Sequence, residues 1–376
     1  MKKAGKIMLI IALSFIGALF AGLLIVLANS PGKLTPLKDS QGNVIQGSIS
    51  EKVWIEVNGI SQGMFIRGEN SQNPVILYLH GGPGTPMLQF ISYLEKSERL
   101  EKYFTVCYWD QRGSGMTYSK STDPSTMTVE QMVEDTREVT EYLKSRFGQD
   151  KIYLLGHSWG SYLGVKTIEK YPENYLAYIG IGQTSNFVES ERLSYDYMLN
   201  HAKDINDKDV IEKLEKFDPH AEGFPLLQEK DHQLDYLMVR TATLNRYGIG
   251  HVHQGIPQGM TFNGMVLRTL FVFKGYTLSE KINWFLGADF SMIYLFPVLL
   301  KDNFFESSVK FEIPFYIIHG VYDYMVSYTL AKEYLDVLEA PKREFFSFDN
   351  SAHSPNLEEP EKAIQIFRKI ALENSF

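Results

Sequence analysis

A single cysteine in 376 residues, Cys107, excludes an internal disulfide, so packing alone has to hold the chain together. Cys107 falls in the apolar run Tyr103-Phe104-Thr105-Val106-Cys107-Tyr108-Trp109 and is expected to be a buried strand residue. The chain also lacks an excess of positive charge. Its formal net charge of −8 leaves no basic face to neutralise phosphates, which excludes a nucleic-acid partner. Internal repeats and low-complexity tracts are missing too. So is a convincing set of metal ligands: His251-Val252-His253 places its two imidazoles on opposite sides of an extended segment, with no third ligand at suitable spacing. No metal and no other cofactor is expected. What remains is 44% apolar and 13% aromatic, enough to build a full-sized core.

Charge is absent in one further place. Lys2, Lys3 and Lys6 precede the uncharged residues 7–28, in which only Ser14, Gly17 and Gly22 interrupt an apolar run. As a helix this stretch is about 33 Å long, against roughly 30 Å of bilayer hydrocarbon. Residues 1–28 are therefore expected to be a membrane anchor spanning at 7–28, with the N-terminus cytoplasmic and the remaining chain extracytoplasmic. The competing reading is a signal peptide cut after Val26-Leu27-Ala28, which releases a secreted protein; the length of the run favours the anchor.

Residues 29–50 are rich in Gly, Pro and Ser and read as a tether. Beyond it, Asn58-Gly59 between two apolar runs predicts a hairpin. The runs Val75–Leu79, Phe104–Trp109 and Ile152–Leu155 predict buried strands, separated by helical spacing at Val129–Phe147 and Ser161–Tyr171. The alternation resumes with a strand at Phe315–Ile318, a helix at Tyr328–Leu338, a strand at Glu344–Phe348 and a helix at Glu361–Leu372. This is an α/β pattern: a mostly parallel central sheet flanked by helices, with its core in 51–184 and 306–376. The stretch 185–305 shows helical spacing without strands and is expected to be an inserted helical lid. Its aromatic, Met-rich part, 260–300, carries Arg268, Lys274, Glu280, Lys281 and Asp289 and is read as lid core and pocket lining.

Gly156-His157-Ser158-Trp159-Gly160 follows a buried strand and opens a helix, the setting in which a serine is exposed on a tight turn as a nucleophile. A serine hydroxyl needs a histidine to take its proton and a carboxylate to orient that histidine, in the chain order Ser, acid, His for this fold. Asp323, at the end of the strand running into His319-Gly320-Val321-Tyr322-Asp323, and His353, in the loop after the last strand, satisfy that order. Asp336 lies inside a predicted helix, and Asp349 is too close to His353 in sequence to serve as well. Acyl transfer also needs amide donors for the oxyanion. Gly82, within His80-Gly81-Gly82-Pro83-Gly84, and Trp159, next to the serine, are the candidates.

These two motifs, together with Asp110-Gln111-Arg112-Gly113-Ser114-Gly115, resemble the proline iminopeptidase branch of the α/β-hydrolase superfamily over about 51–184 and 306–376. The resemblance implies an α/β-hydrolase fold and cofactor-free release of N-terminal residues from peptides. It also implies that the Asp-Gln-Arg-Gly loop supports the wall of the site, and that acidic residues near the lid hold the substrate amine. The Trp-x-x-Trp-Glu run common in that branch is missing here. Glu189, Glu191 and Trp284 are the substrate-binding candidates, and a solvated first helical turn is the other reading of the two glutamates. The expected substrate is thus a small peptide or, alternatively, a small apolar ester, as for a carboxylesterase or lipase. A membrane-tethered binding module without turnover is the reading from outside the enzymes.

Overall fold

The computed structural model describes residues 2–93, 99–220, 230–254 and 262–374. A helix α1 (Lys2–Ala28) comes first. Of the expected span 7–28, the side chains of 7, 9–12, 18 and 19 lie outside the described ones; the described large apolar residues of α1, such as Phe15 and Phe20, are exposed. The segment after it does not trail freely. Leu37 is buried at 1% exposure, and Pro31 forms an antiparallel bridge with Thr277. The expected tether is therefore held against the body, because its few apolar residues find a surface to cover.

The hairpin forms between β1 (Ile49–Val57) and β2 (Ile60–Gly68), turning at Asn58-Gly59. Then follow β3 (Val75–Leu79), α2 (Leu88–Tyr93), β4 (Thr105–Trp109), α3 (Val129–Phe147), β5 (Ile152–His157), α4 (Trp159–Lys170) and β6 (Tyr175–Ile181). The carboxyl-terminal part adds β7 (Phe315–Gly320), α11 (Tyr328–Val337), β8 (Arg343–Phe348), α12 (Pro355–Glu358) and α13 (Pro360–Glu373). Between β6 and β7 lie α5 (Phe187–Asp204), α6 (Lys208–Leu214), α7 (Lys230–Arg246), α8 (Phe262–Val272), α9 (Leu278–Leu299) and α10 (Phe304–Ser307). The two ends of this excursion meet: Asn186 bridges Asn303, and the Phe304 amide donates to Ser185 at 2.8 Å.

The eight strands form one sheet in the order β1-β2-β4-β3-β5-β6-β7-β8, parallel from β4 to β8 and antiparallel at the β1 and β2 end. Every residue of β3, β4 and β5 is buried, as a sheet covered on both faces requires. Alternate residues feed two cores. Leu77, Cys107 and Leu154 pack on the α3–α4 side; Ile76, Val106 and Leu155 pack on the side closed by α13. Helix α3 is set by its ends, the Thr128 hydroxyl accepting from the Gln131 amide and Gly148 closing the last turn. Helix α1 aside, α9 is the one helix among the described residues long and apolar enough to cross a membrane, yet its inner residues Trp284, Leu295 and Phe296 belong to the core.

Candidate active site

From β3 the chain moves to β4 on one side and then to β5 on the other, so a crevice opens where the loops after β3 and β5 diverge. Ser158 sits there. The flanking glycines are a steric necessity: a β-carbon on Gly156 would lie 2.2 Å from the Gly160 carbonyl oxygen, and one on Gly160 2.0 Å from that of Leu79. Ser158 itself adopts φ 56°, ψ −119°, a conformation that costs an L-residue about 1–3 kcal/mol. Its amide donates to Ile181 at 2.9 Å, and its carbonyl accepts the Ser161 amide at 2.7 Å, which locks the turn. Trp159 opens α4, where the first amides have no partner within the helix.

The Asp323 carboxylate lies just beyond β7. One oxygen accepts the amides of Met325 and Val326, each at 2.9 Å. The other lies 2.8 Å from His353 Nδ1 and 3.0 Å from His319 Nε2. Burial alone would push the Asp323 pKa up, but the two imidazoles outweigh it and hold the group below the usual carboxylate range. His353 is steered by its backbone. Its amide donates to Gly250 at 3.2 Å, and its carbonyl accepts from His157 Nε2 at 2.9 Å. Burial, with the neighbouring His353, lowers the His157 pKa to about 3, so this ring is a neutral donor. Gly182, at φ +56°, lies under the pair; a β-carbon there would come within 2.8 Å of His353 Cε1.

The loop after β3 meets the turn from the other side, with the Gly81 β-carbon position 3.1 Å from Ser158 Cβ. Gln111 joins the two. Its amide nitrogen donates to the His80 carbonyl at 3.1 Å and its oxygen accepts from the Trp159 indole at 3.2 Å. The next residue, Arg112, anchors this loop to α3, its guanidinium gripping the buried Asp135 carboxylate at 2.7 and 3.0 Å.

A cavity of about 300 Å³ covers this crevice, and its lining includes Gly82, Ser158, His353 and Trp284. The glutamates fare differently from the serine and Trp284. Glu189 does not line the cavity; it is partly exposed and pairs with Arg192 at 3.3 Å, one turn along α5. Glu191 is fully buried beneath the wall and engaged by Arg240, whose Nε lies 2.5 Å from Oε2. The expected amine anchors are thus spent, one on its own helix and one on a guanidinium. Arg240 itself lines the cavity, and no carboxylate is among the described lining residues.

The description "alpha/beta hydrolase fold" matches residues 74–229. "Probable aminopeptidase YbaC" of Bacillus subtilis is 33% identical over 306 residues, which cover 81% of this chain and 91% of that protein. The chain belongs to the α/β-hydrolase family. Within it the chain is proline iminopeptidase-like: the "Proline iminopeptidase" of Chitinophaga pinensis is 36% identical over 124 residues, 32% of this chain and 38% of that one. Among solved structures, a proline iminopeptidase-related protein from Thermus thermophilus aligns at TM-score 0.56 and 20% identity over 87% of this chain and 98% of its own. The proline iminopeptidase of Mycobacterium smegmatis aligns at 0.55 and 15% over 86% and 99%. These two show the shared fold.

Three residues of this α/β-hydrolase to which sequence reasoning assigned no role, His319, Arg240 and Glu358, shape the site, together with His251, which the sequence offered only as a poor metal ligand. His319 shares the Asp323 carboxylate. Arg240 and His251 line the cavity. Glu358 fixes the loop carrying His353, accepting the amides of Ala352 at 2.7 Å and His253 at 2.6 Å. Only His319 carries a local signal, since it is the next-to-last residue of β7, four before the acid. His251 and His253 each bond within their own loop, to Asn245 at 3.1 Å and Gly248 at 2.7 Å.

Proposed function

We propose that this chain is a serine hydrolase working through an acyl-enzyme, with Ser158, His353 and Asp323 as its triad. The observation that carries the reading is the strained Ser158 turn at the floor of a cavity that His353 also lines, with His353 held to Asp323 at 2.8 Å. His353 takes the Ser158 proton as the hydroxyl attacks the substrate carbonyl, and Asp323 orients the ring and stabilises its charge. The amides of Gly82 and Trp159 receive the oxyanion. His353 then protonates the leaving group, and water releases the acyl group by the reverse sequence. Replacing Ser158 by Ala is expected to abolish labelling by a fluorophosphonate; labelling that persists on the variant refutes the assignment.

The leading substrate reading is release of N-terminal residues from small peptides, supported by the likeness to the Bacillus protein over most of both chains. A specific observation favours a second reading. The lining is apolar, with Arg240 as its charged side chain and no described carboxylate to meet an amine, which suits a small apolar ester. Prolyl and other aminoacyl arylamides, the same compounds with the amine blocked, and short-chain aryl esters separate the two. Activity lost on blocking supports the peptidase, and indifference to blocking supports the esterase.

The uncharged run at 7–28 supports a single membrane span for α1, with the catalytic body on the extracytoplasmic side; retention of the full chain in washed membranes, with the body digestible only from outside, tests this.

A further inference from the structure

Helices α8 and α9 carry apolar residues on two sides. Inward, Trp284 and Met292 line the cavity above Ser158. Outward, Ile282, Phe285, Leu286 and Ile293 on α9, with Leu267 and Phe271 on α8, are 37–58% exposed. The α9 positions recur at helical spacing and so share one face, and from Ile282 to Leu299 the sole charge is Asp289, which is exposed on that same face. A lid helix facing water normally puts charged and polar residues on that side. An apolar face of this extent, interrupted on α9 by Asp289 alone, marks a contact surface.

The chain that precedes the body indicates what the contact is. Helix α1 ends at Ala28, and the next residues are fastened to the α8–α9 turn. The Asn29 carbonyl accepts from Lys281 Nζ at 2.8 Å, Pro31 bridges Thr277, and the Lys33 amide donates to Lys274 at 3.0 Å. Three residues reach at most about 10 Å. If α1 spans, its end marks the hydrocarbon boundary, and the headgroup layer beyond is roughly 5–8 Å thick. The α8–α9 turn is then at headgroup level. Lys33 and Lys274 are exposed at the same corner and flank a recess of about 350 Å³ with no carboxylate in its lining, which suits anionic headgroups.

We infer that the outward face of α8–α9 docks on the surface of the bilayer that α1 spans, its apolar residues among the upper acyl chains and Lys33 and Lys274 at the headgroups. The inference rests on the anchor reading of α1. It puts one wall of the cavity over Ser158 in contact with lipid, so that an amphiphilic substrate dissolved in the leaflet meets the lid before it meets bulk water.

Because Cys107 is buried, introduced cysteines are labelled selectively. The full chain carrying Leu286→Cys, Val337→Cys or Phe20→Cys, each with an environment-sensitive fluorophore and an unfolding midpoint equal to the parent's, is reconstituted in vesicles of phosphatidylcholine and phosphatidylglycerol. Lipids spin-labelled at shallow or deep acyl positions then act as quenchers, and iodide reports exposure to water. The expected result is several-fold stronger shallow-lipid quenching at position 286 than at 337 on α11, weakening when phosphatidylglycerol is omitted, with deep quenching at position 20. Quenching at 20 with position 286 as water-exposed as 337 overturns the docking face and leaves the anchor standing. Lack of lipid quenching at 20 overturns the anchor and the inference together. Shielding of 286 from iodide without lipid quenching assigns the face to a protein contact, which also overturns it.

Discussion

Gly182 offers the sharpest test of the geometry around His353, because it touches no substrate and yet decides where the imidazole rests. A β-carbon at this position would lie 2.8 Å from His353 Cε1 and 2.9 Å from Nδ1, with the Asp323 carboxylate 3.5 Å away. Ordinary contact begins at 3.4 Å, so in a Gly182→Ala variant the ring has to retreat by about 0.6 Å or the β6 end has to shift. The backbone adds its own cost, since φ +56° disfavours alanine by about 1–2 kcal/mol. A catalytic group displaced by about 1 Å loses on the order of 10²-fold in rate, so a retreat of about 0.6 Å is expected to lower kcat/KM roughly 10- to 100-fold. Fluorophosphonate labelling rate follows the reactive arrangement without presupposing a substrate, and urea unfolding followed by far-ultraviolet circular dichroism separates the stability loss, expected at about 1–3 kcal/mol. A variant that labels at the parent's rate while losing that stability refutes the claim that Gly182 sets the ring. A variant unchanged in both respects refutes the contact itself.

Arg112→Met leaves the buried Asp135 carboxylate with only the neutral donors Asn58, Gln62 and Gln131 and is expected to cost about 3 kcal/mol in denaturant unfolding, far more than loss of an exposed pair. His157 stays neutral in the fold down to about pH 3, whereas the unfolded chain takes up a proton near its ordinary value of 6.5. The unfolded state therefore binds the extra proton in that window, and the contribution of His157 is complete above 6.5 and lost as pH falls. His157→Asn is expected to reduce the slope of unfolding free energy between pH 5 and 6 by about 1.4 kcal/mol per pH unit, measured by urea titrations at each pH; an unchanged slope contradicts the buried neutral ring. Asp110 works in the opposite direction. Burial raises its pKa to about 7, so the folded state holds a proton that the unfolded chain releases above 3.8. Asp110→Asn is therefore expected to steepen the loss of stability on acidification from pH 7 to 5.

The sheet was readable because the central strands β3, β4, β5 and β7 are short, wholly buried runs, and Val75–Leu79 and Val129–Phe147 have in the structure the limits their patterns predict. Other limits moved by a residue or two, as in β5, expected over Ile152–Leu155 and running on to His157, where apolar content gives no sign of where pairing ends. The elbow was legible for a local reason, since strand, glycine spacing and helix sit side by side in sequence. Asp323 and His353 were placed by chain order, which carries the topology of the sheet. The lid glutamates were not legible, because the partner that neutralises Glu191 is Arg240, 49 residues onward on another helix. Glu358 was equally hidden: it acts through the amides of Ala352, His253 and Gln254, to which residue identity in a distant segment gives no clue. In α9 the inward and outward faces are both apolar, so periodicity alone could not separate cavity lining from exposed surface.

The junction at Asn186 and Asn303 makes the lid a graft. Its two ends leave and rejoin the body already hydrogen-bonded to one another, so exchanging the intervening helices alters a loop whose closure entropy depends only logarithmically on its length. The strand register has no stake in what hangs above that neck, but the floor of the crevice does: the His353 amide donates to Gly250 and Glu358 accepts the His253 amide, both partners coming from the excursion. Any exchanged roof has to supply that carbonyl and that amide again if the imidazole is to stay where it rests.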